Sequence, residues 1–167
     1  MKLFVIQCVL LCCLTSFVFG ADPACSNTEY RQLDFWVGEW VVTNPDGKTA
    51  GNSVIQKILN GCVILENWSG SGGYEGKSFN LYDRTKKKWI QKWVDMQGQL
   101  IEFEGNFRGN TLEYTSHSTT PDGKNVVGIM TFTPAADGTI RQIWKDSKDD
   151  GKTWTVQFDG TYKRKGK

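Results

Sequence analysis

The chain has 167 residues, of which 39% are hydrophobic and 23% charged, and its formal net charge is +2. This length predicts one domain of ordinary size, which buries about 70% of the surface of its unfolded chain. Positive charge clusters only at 86–88 and 163–167, which we interpret as a solvated turn and a chain end. Because a nucleic-acid partner would need a broad basic face, that class of partner is excluded.

Residues 1–20 have the pattern of a secretory signal peptide. Lys2 precedes an apolar run over 3–19, and the residues before position 21 predict cleavage after Gly20. The alternative is an uncleaved membrane anchor, but the run is shorter than the ~20 apolar residues that span a bilayer. We therefore expect a secreted, extracellular protein that has no membrane span after cleavage.

Cleavage after Gly20 would remove three of the five cysteines and leave Cys25 and Cys62. Two remaining cysteines in a secreted protein predict one disulfide bond. That bond would tie an N-terminal extension, 21–32, to the third predicted strand. The alternative is two unpaired cysteines, one of them buried.

The stretch 33–43 is the first strong strand signal. Trp36 and Trp40 fall on one face of an extended chain, and the opposite face is also largely apolar. A strand with two apolar faces is covered on both sides, which indicates that it lies within a larger β-structure.

Short turn signals rich in Gly, Asn, Asp and Pro recur along the rest of the chain, and no segment has a helical period. The strand candidates between the turns are 35–43, 51–59, 61–69, 76–83, 88–96, 99–107, 110–118, 125–133, 139–147 and 153–163. Turns of this kind join neighbouring strands, and closure removes exposed edges. We predict an all-β domain over 33–167, an antiparallel meander of about ten strands closed into a barrel. An eight-stranded barrel is already just filled, so a wider one should contain a cavity.

The strand candidate 88–96 indicates what lines this cavity. Aromatic and polar residues alternate on one of its faces: Trp89, Gln91, Trp93 and Asp95. The other face carries Ile90, Lys92, Val94 and Met96, and the pattern leaves open which face points inward. Bulky aromatic residues with a few polar groups are typical of a ligand pocket, although tryptophans can also simply fill a barrel.

The tripeptide Gly38-Glu39-Trp40 resembles the Gly-x-Trp signature of the calycin superfamily, which includes lipocalins and fatty-acid-binding proteins. The resemblance implies a calycin-like barrel in which Trp40 plugs the base and Arg164, near the end of the last strand, covers it. Neither the second lipocalin motif nor room for the helical lid of fatty-acid-binding proteins is present. The chain is therefore not a standard member of either family.

A closer resemblance covers nearly the whole chain after the signal peptide. The segments that carry it are 33–40, 60–62, 66–68, 80–83, 89–95 and 149–154. They are similar to a family of secreted, mostly bacterial proteins catalogued as domain of unknown function 1579. The family implies a calycin-like barrel and a secreted location, and it implies no activity or catalytic residue. The segment 147–154 also fits the Asp-box pattern, whose role is to stabilise a hairpin turn.

Our leading hypothesis is a protein that binds a small, largely apolar molecule in its cavity. The expected aromatic wall consists of Trp68, Trp89, Trp93 and Trp144. The expected polar groups are Glu66, Gln91, Asp95 and Arg141. Arg141 and Trp144 have opposite parity, so both face inward only if a bulge lies between them.

Two other hypotheses stay open. One is a small enzyme that uses Glu66 and Asp95 as acid and base. The other is a structural or interaction protein with a solid barrel. We assign no catalytic residue, metal site or cofactor, because His117 is the only histidine and no zinc-ligand set or nucleophile elbow is visible. The oligomeric state is not predicted.

Overall fold

The computed structural model describes residues 24–166, so the predicted signal peptide, 1–20, lies outside the described residues. The fold is all-β, as predicted, and its ten antiparallel strands form a meander that closes into a barrel. The strands are β1 (Gly38–Thr43), β2 (Thr49–Ile58), β3 (Val63–Gly70), β4 (Glu75–Asp83), β5 (Lys88–Asp95), β6 (Leu100–Arg108), β7 (Thr111–Thr119), β8 (Asn125–Pro134), β9 (Ile140–Ser147) and β10 (Thr155–Arg164). Pairing of β1 with β10 completes the barrel.

The segment before β1 closes one end of the barrel, which we call the base. It forms two 3₁₀ helices, Thr28–Arg31 and Asp34–Trp36, and the second lies where the sequence pattern predicted that the first strand had already begun. Trp36 is fully buried, and its ring centroid lies 4.8 Å from that of Phe132. The indole of Trp40 donates a hydrogen bond of 2.7 Å to the carbonyl oxygen of Trp36. The two tryptophans therefore do not share a strand face, because Trp36 belongs to the helical turn that enters the barrel.

Arg164, the last residue of β10, covers the base from outside. Its guanidinium carbon lies 4.4 Å from the centroid of the Trp40 ring, a cation–π distance. The same group donates hydrogen bonds to the carbonyl oxygens of Val37 at 3.0 Å and Phe35 at 3.2 Å. A Cβ atom at Gly38 would lie 2.3 Å from this guanidinium, and the φ angle there is +139°, so the position requires glycine.

The predicted disulfide bond between Cys25 and Cys62 is confirmed, with the two Cα atoms 5.1 Å apart. Cys62 lies in the turn between β2 and β3, directly before the third strand. Arg31 donates hydrogen bonds to the carbonyl oxygens of Cys25 at 2.9 Å and Gly61 at 3.0 Å. The extension is therefore held to the base both covalently and through hydrogen bonds.

Large side chains fill the half of the barrel next to the base. Its fully buried apolar residues are Leu33, Trp36, Trp40, Ile55, Ile64, Trp89, Leu112, Phe132 and Ile140. Within the described part of the chain, no helix is long and apolar enough to cross a membrane.

The last strand departs from simple alternation. The register of β9 and β10 shifts between Val156 and Phe158, which marks a β-bulge. Strict alternation would place Val156 on the inward face with Phe158, yet Val156 is 59% exposed, while Gln157 is among the residues that line the cavity. The extra residue puts the strand before the bulge out of phase with the strand after it, so Val156 and Phe158 lie on opposite faces.

The turn before β10 has the structural role that its Asp-box pattern predicts. Asp149 accepts hydrogen bonds from the backbone amide and the hydroxyl of Thr153, at 2.8 and 2.6 Å, and from the hydroxyl of Ser147 at 2.7 Å. These donors lower the pKa of Asp149 to about 2. The indole of Trp154 donates to the carbonyl oxygen of Gly151 at 3.1 Å, which fixes the ring over the turn.

Candidate functional site

The half of the barrel opposite the base contains a cavity of about 390 Å³. This volume falls in the range of about 300–1,000 Å³ that is typical of small-molecule sites. The aromatic residues that line the cavity are Trp68, Tyr74, Trp93, Phe103, Trp144, Phe158 and Tyr162. Residues of the β1–β2, β3–β4 and β5–β6 turns, among them Asn44, Ser71 and Gln99, also line it, so the cavity opens at this end of the barrel.

The inward face of β5 is the one that carries the tryptophans. Gln91 and Trp93 line the cavity, whereas Lys92 and Val94 are exposed on the outer surface. Trp89 lies on the same inward face but nearer the base, where its indole donates a hydrogen bond of 2.9 Å to Gln32. Trp89 therefore belongs to the packed half of the barrel and not to the cavity wall in which we expected it.

Three strand glycines hold the cavity aromatics in place. A Cβ atom at Gly76 would lie 2.2 Å from the ring of Trp93 and one at Gly51 would lie 2.8 Å from the ring of Trp68. A Cβ atom at Gly160 would lie 2.6 Å from the ring of Phe158. Glycine inside a strand marks a close approach to the backbone, and rings that pack there lose freedom to rotate. The aromatic wall is therefore set by the fold before any ligand binds.

Glu66, on β3, lies at the floor of the cavity with 4% of its surface exposed. The hydroxyl of Ser53 donates a hydrogen bond of 2.8 Å to its Oε1 atom, and that of Ser78 donates one of 2.9 Å to Oε2. The hydroxyl of Tyr162 lies 3.4 Å from Oε1. Since the register pairs Glu66 with Ser78 and places Ser53 opposite Trp68, the neighbouring strands bring these hydroxyls to the carboxyl group.

The hydrogen bonds continue from Glu66 across the floor of the cavity. Asn80 donates to the hydroxyl of Ser78 at 3.0 Å, and Gln91 donates to the side-chain oxygen of Asn80 at 2.9 Å. On the other side, Tyr162 donates to the side-chain oxygen of Gln142 at 2.6 Å. A phenol has one proton, so this shorter bond leaves the Glu66 carboxyl with two strong donors and spare acceptor capacity.

Burial raises the pKa of Glu66, because desolvation disfavours the charged form. The hydroxyls of Ser53, Ser78 and Tyr162 act in the opposite direction and offset only part of this effect. Among the described residues, none that line the cavity is Lys, Arg or His. The carboxyl group is thus buried beside the cavity without a positive partner.

Asp95 does not line the cavity, although the alternation on β5 predicted that it would. It is the last residue of β5, and its carboxylate turns into the following turn. There it accepts hydrogen bonds from the hydroxyl of Tyr74 at 2.6 Å and from the backbone amides of Gln97 and Gln99 at 2.8 and 3.1 Å. These bonds, the one from Tyr74 first, lower its pKa. The structure therefore does not bring Glu66 and Asp95 together as an acid–base pair in one cavity.

Arg141 lies on the outer surface of β9 and not in the cavity, where we expected it. It donates hydrogen bonds of 3.0 and 2.8 Å to the two carboxylate oxygens of Asp159, and it does not pair with Asp95. The strand alternates without interruption from Ile140 onwards, which directs Gln142 and Trp144 inward and Arg141 outward. No bulge reverses this parity.

Of the eight residues that we expected in the cavity, five line it: Glu66, Trp68, Gln91, Trp93 and Trp144. Sequence reasoning missed several polar residues of the floor, namely Ser53, Ser78, Asn80, Gln142 and Tyr162. A signal for the serines was present, because Ser53 alternates with Gly51 and Ile55 on β2, and Ser78 alternates with Gly76 and Asn80 on β4. The strand glycines beneath the rings were a second signal.

His117 is exposed on the outer face of β7, away from the cavity. Within residues 24–166, no group of three or more His, Cys, Asp or Glu side chains has the arrangement of a metal site. No protein-family model matches the chain, and no curated protein matches it either.

Proposed function

We propose that this protein binds a small, largely apolar molecule in the open half of its barrel. The observation that supports this most strongly is the cavity of about 390 Å³ with its wall of aromatic side chains. A barrel with a structural role alone gains stability by filling its interior, as the half next to the base does. An open, aromatic-lined half would cost packing energy unless a ligand occupies it.

We further propose that the protein is secreted and belongs to the calycin-like family of unknown function that its sequence resembles. The disulfide bond and the closed ten-stranded barrel support these proposals. An acid–base enzyme is less well supported, because Asp95 lies outside the cavity that contains Glu66.

The binding proposal is tested with the uncharged fluorescent probe N-phenyl-1-naphthylamine. We expect its emission to increase and shift to the blue with the wild-type protein, since the cavity wall is apolar. A panel of lipids and retinoids then competes with the bound probe.

Two matched variants localise the binding. Ile101→Trp places a larger ring on a cavity-lining position of β6, and it should reduce probe affinity at least tenfold. Val94→Trp makes a comparable change on the outer face of β5 and should leave the affinity unchanged. Failure of the wild-type protein to bind the probe, or equal binding by both variants, would contradict a cavity site.

A further inference from the structure

The cavity contains one ionisable acid, and its surroundings point to the charge of the ligand. Glu66 is buried at the floor of the cavity, and its close partners are the neutral hydroxyls of Ser53, Ser78 and Tyr162. None of the cavity-lining residues that the structure describes is basic. A buried carboxylate without a cation is unfavourable, and an opposite charge that binds next to it offsets part of this cost.

The walls above Glu66 suit a cation as well. The rings of Trp68, Trp93 and Trp144 line the same cavity, and the faces of aromatic rings attract an ammonium group through the ring quadrupole. The hydroxyl of a neutral ligand could donate a hydrogen bond to the Glu66 carboxylate, but it would not neutralise the negative charge. An anionic ligand would place two carboxylates together, which is unfavourable in a buried site.

From this arrangement, and resting on the proposed binding function, we propose that the ligand is a small organic amine. Its ammonium group binds the carboxylate of Glu66, and its apolar body packs against the tryptophan rings. The spare acceptor capacity of the carboxylate receives the N–H donors, while Ser53 and Ser78 hold the carboxylate in position.

The test compares three probes of similar size and shape at pH 7.5 by isothermal titration calorimetry. They are 2-phenylethylamine, which is a cation, 2-phenylethanol, which is neutral, and 3-phenylpropanoate, which is an anion. We expect the wild-type protein to bind the amine at least tenfold more tightly than the alcohol and to bind the acid most weakly. This comparison does not depend on any variant.

Two variants then identify the side chain that recognises the charge of the ligand. Glu66→Gln keeps the shape of the side chain, and it should abolish the preference for the amine while retaining the affinity for the alcohol. Glu102→Gln, on the exposed outer face of β6, should retain the full preference.

The outcomes separate this inference from the binding proposal itself. If the alcohol or the acid binds as tightly as the amine, or if Glu66→Gln keeps the amine preference, the amine inference is wrong and the binding proposal stands. The same holds if none of the three probes binds while N-phenyl-1-naphthylamine does. If that probe also fails, both proposals are wrong.

Discussion

Glu66 is the residue whose environment departs most from what its chemistry prefers. It is 4% exposed and has three hydroxyls and no cation as neighbours. Burial in these surroundings disfavours the charged form of the carboxyl group. A serine or glutamine at this position would pack without that penalty. Such a local conflict is expected where a protein binds or reacts with something, because function rather than stability determines the residue there.

The raised pKa of Glu66 predicts how stability depends on pH. Because the folded state binds this proton more tightly than the unfolded state, the contribution to stability is complete below the ordinary pKa of 4.5 and is lost as the pH rises through the raised folded value. The slope in that window reaches up to about 1.4 kcal/mol per pH unit. The titratable group in contact is the phenol of Tyr162, whose own pKa burial raises well above 10, so it stays protonated there.

Glu66→Gln should therefore remove this slope and make the protein more stable than the wild type at pH 8. Urea unfolding of both proteins at pH 5 and pH 8 measures the difference. Glu102→Gln, exposed on the outer surface, is the control and should follow the wild-type pH dependence. Parallel pH profiles for the wild type and Glu66→Gln would show that Glu66 is not held with a raised pKa.

Among the elements, β3, β5, β6, β9 and β10 supply the aromatic residues of the cavity wall that lie on strands. Glycine normally weakens a strand, because it adds chain entropy and no side chain to pack. Here Gly76 and Gly51 provide the space into which Trp93 and Trp68 pack. These glycines therefore lower the β-strand propensity of their strands, but they hold the rings of the cavity wall in fixed positions.

Gly76→Ala should displace Trp93 from this position. A Cβ atom there would meet the ring at 2.2 Å, and overpacking of this kind costs about 1–3 kcal/mol. We expect a lower urea midpoint and weaker binding of N-phenyl-1-naphthylamine. The matched control is Gly72→Ala in the β3–β4 turn, where a Cβ atom has no neighbour within 4 Å. Equal effects of the two substitutions would show that the space beneath Trp93 is not needed.

At the scale of the molecule, the two ends of the barrel have different roles. The base is closed by the extension, by Trp36 and by Arg164, and the cavity opens at the opposite end. The disulfide bond between Cys25 and Cys62 joins the extension to the base across 37 residues of sequence. Mutations at the base should therefore change stability without changing ligand binding, and mutations at the open end should change ligand binding.

Removing the disulfide bond with the double change Cys25→Ser and Cys62→Ser tests this separation. The chain-entropy model predicts a loss of about 4 kcal/mol in the free energy of unfolding for a loop of this length. Binding of N-phenyl-1-naphthylamine under native conditions should stay unchanged, because the bond lies at the end away from the cavity. Unfolding of the double variant should not respond to dithiothreitol, whereas that of the wild type should. A loss of probe binding in a folded double variant would show that the two ends are coupled.

Much of this architecture can be predicted from the sequence because it depends on local sequence patterns. Turn residues and alternation with a period of two place all ten strands, and closure follows from the edges that an open meander would expose. The same alternation groups Gln91 with Trp93 on one face of β5, but it leaves open which face points inward. Local rules failed at Trp36 and Val156, where a helical turn and a bulge interrupt the period.

Tertiary structure alone decides how far along the barrel each inward residue lies. Trp89, Gln91, Trp93 and Asp95 have the same parity, yet the first is buried in the base, the next two line the cavity and the last bonds within a turn. That position depends on strand register and on what the neighbouring strands contribute, which are contacts distant in sequence. For the same reason, only the folded barrel surrounds Glu66 with hydroxyls from β2, β4 and β10 and leaves it without a cation.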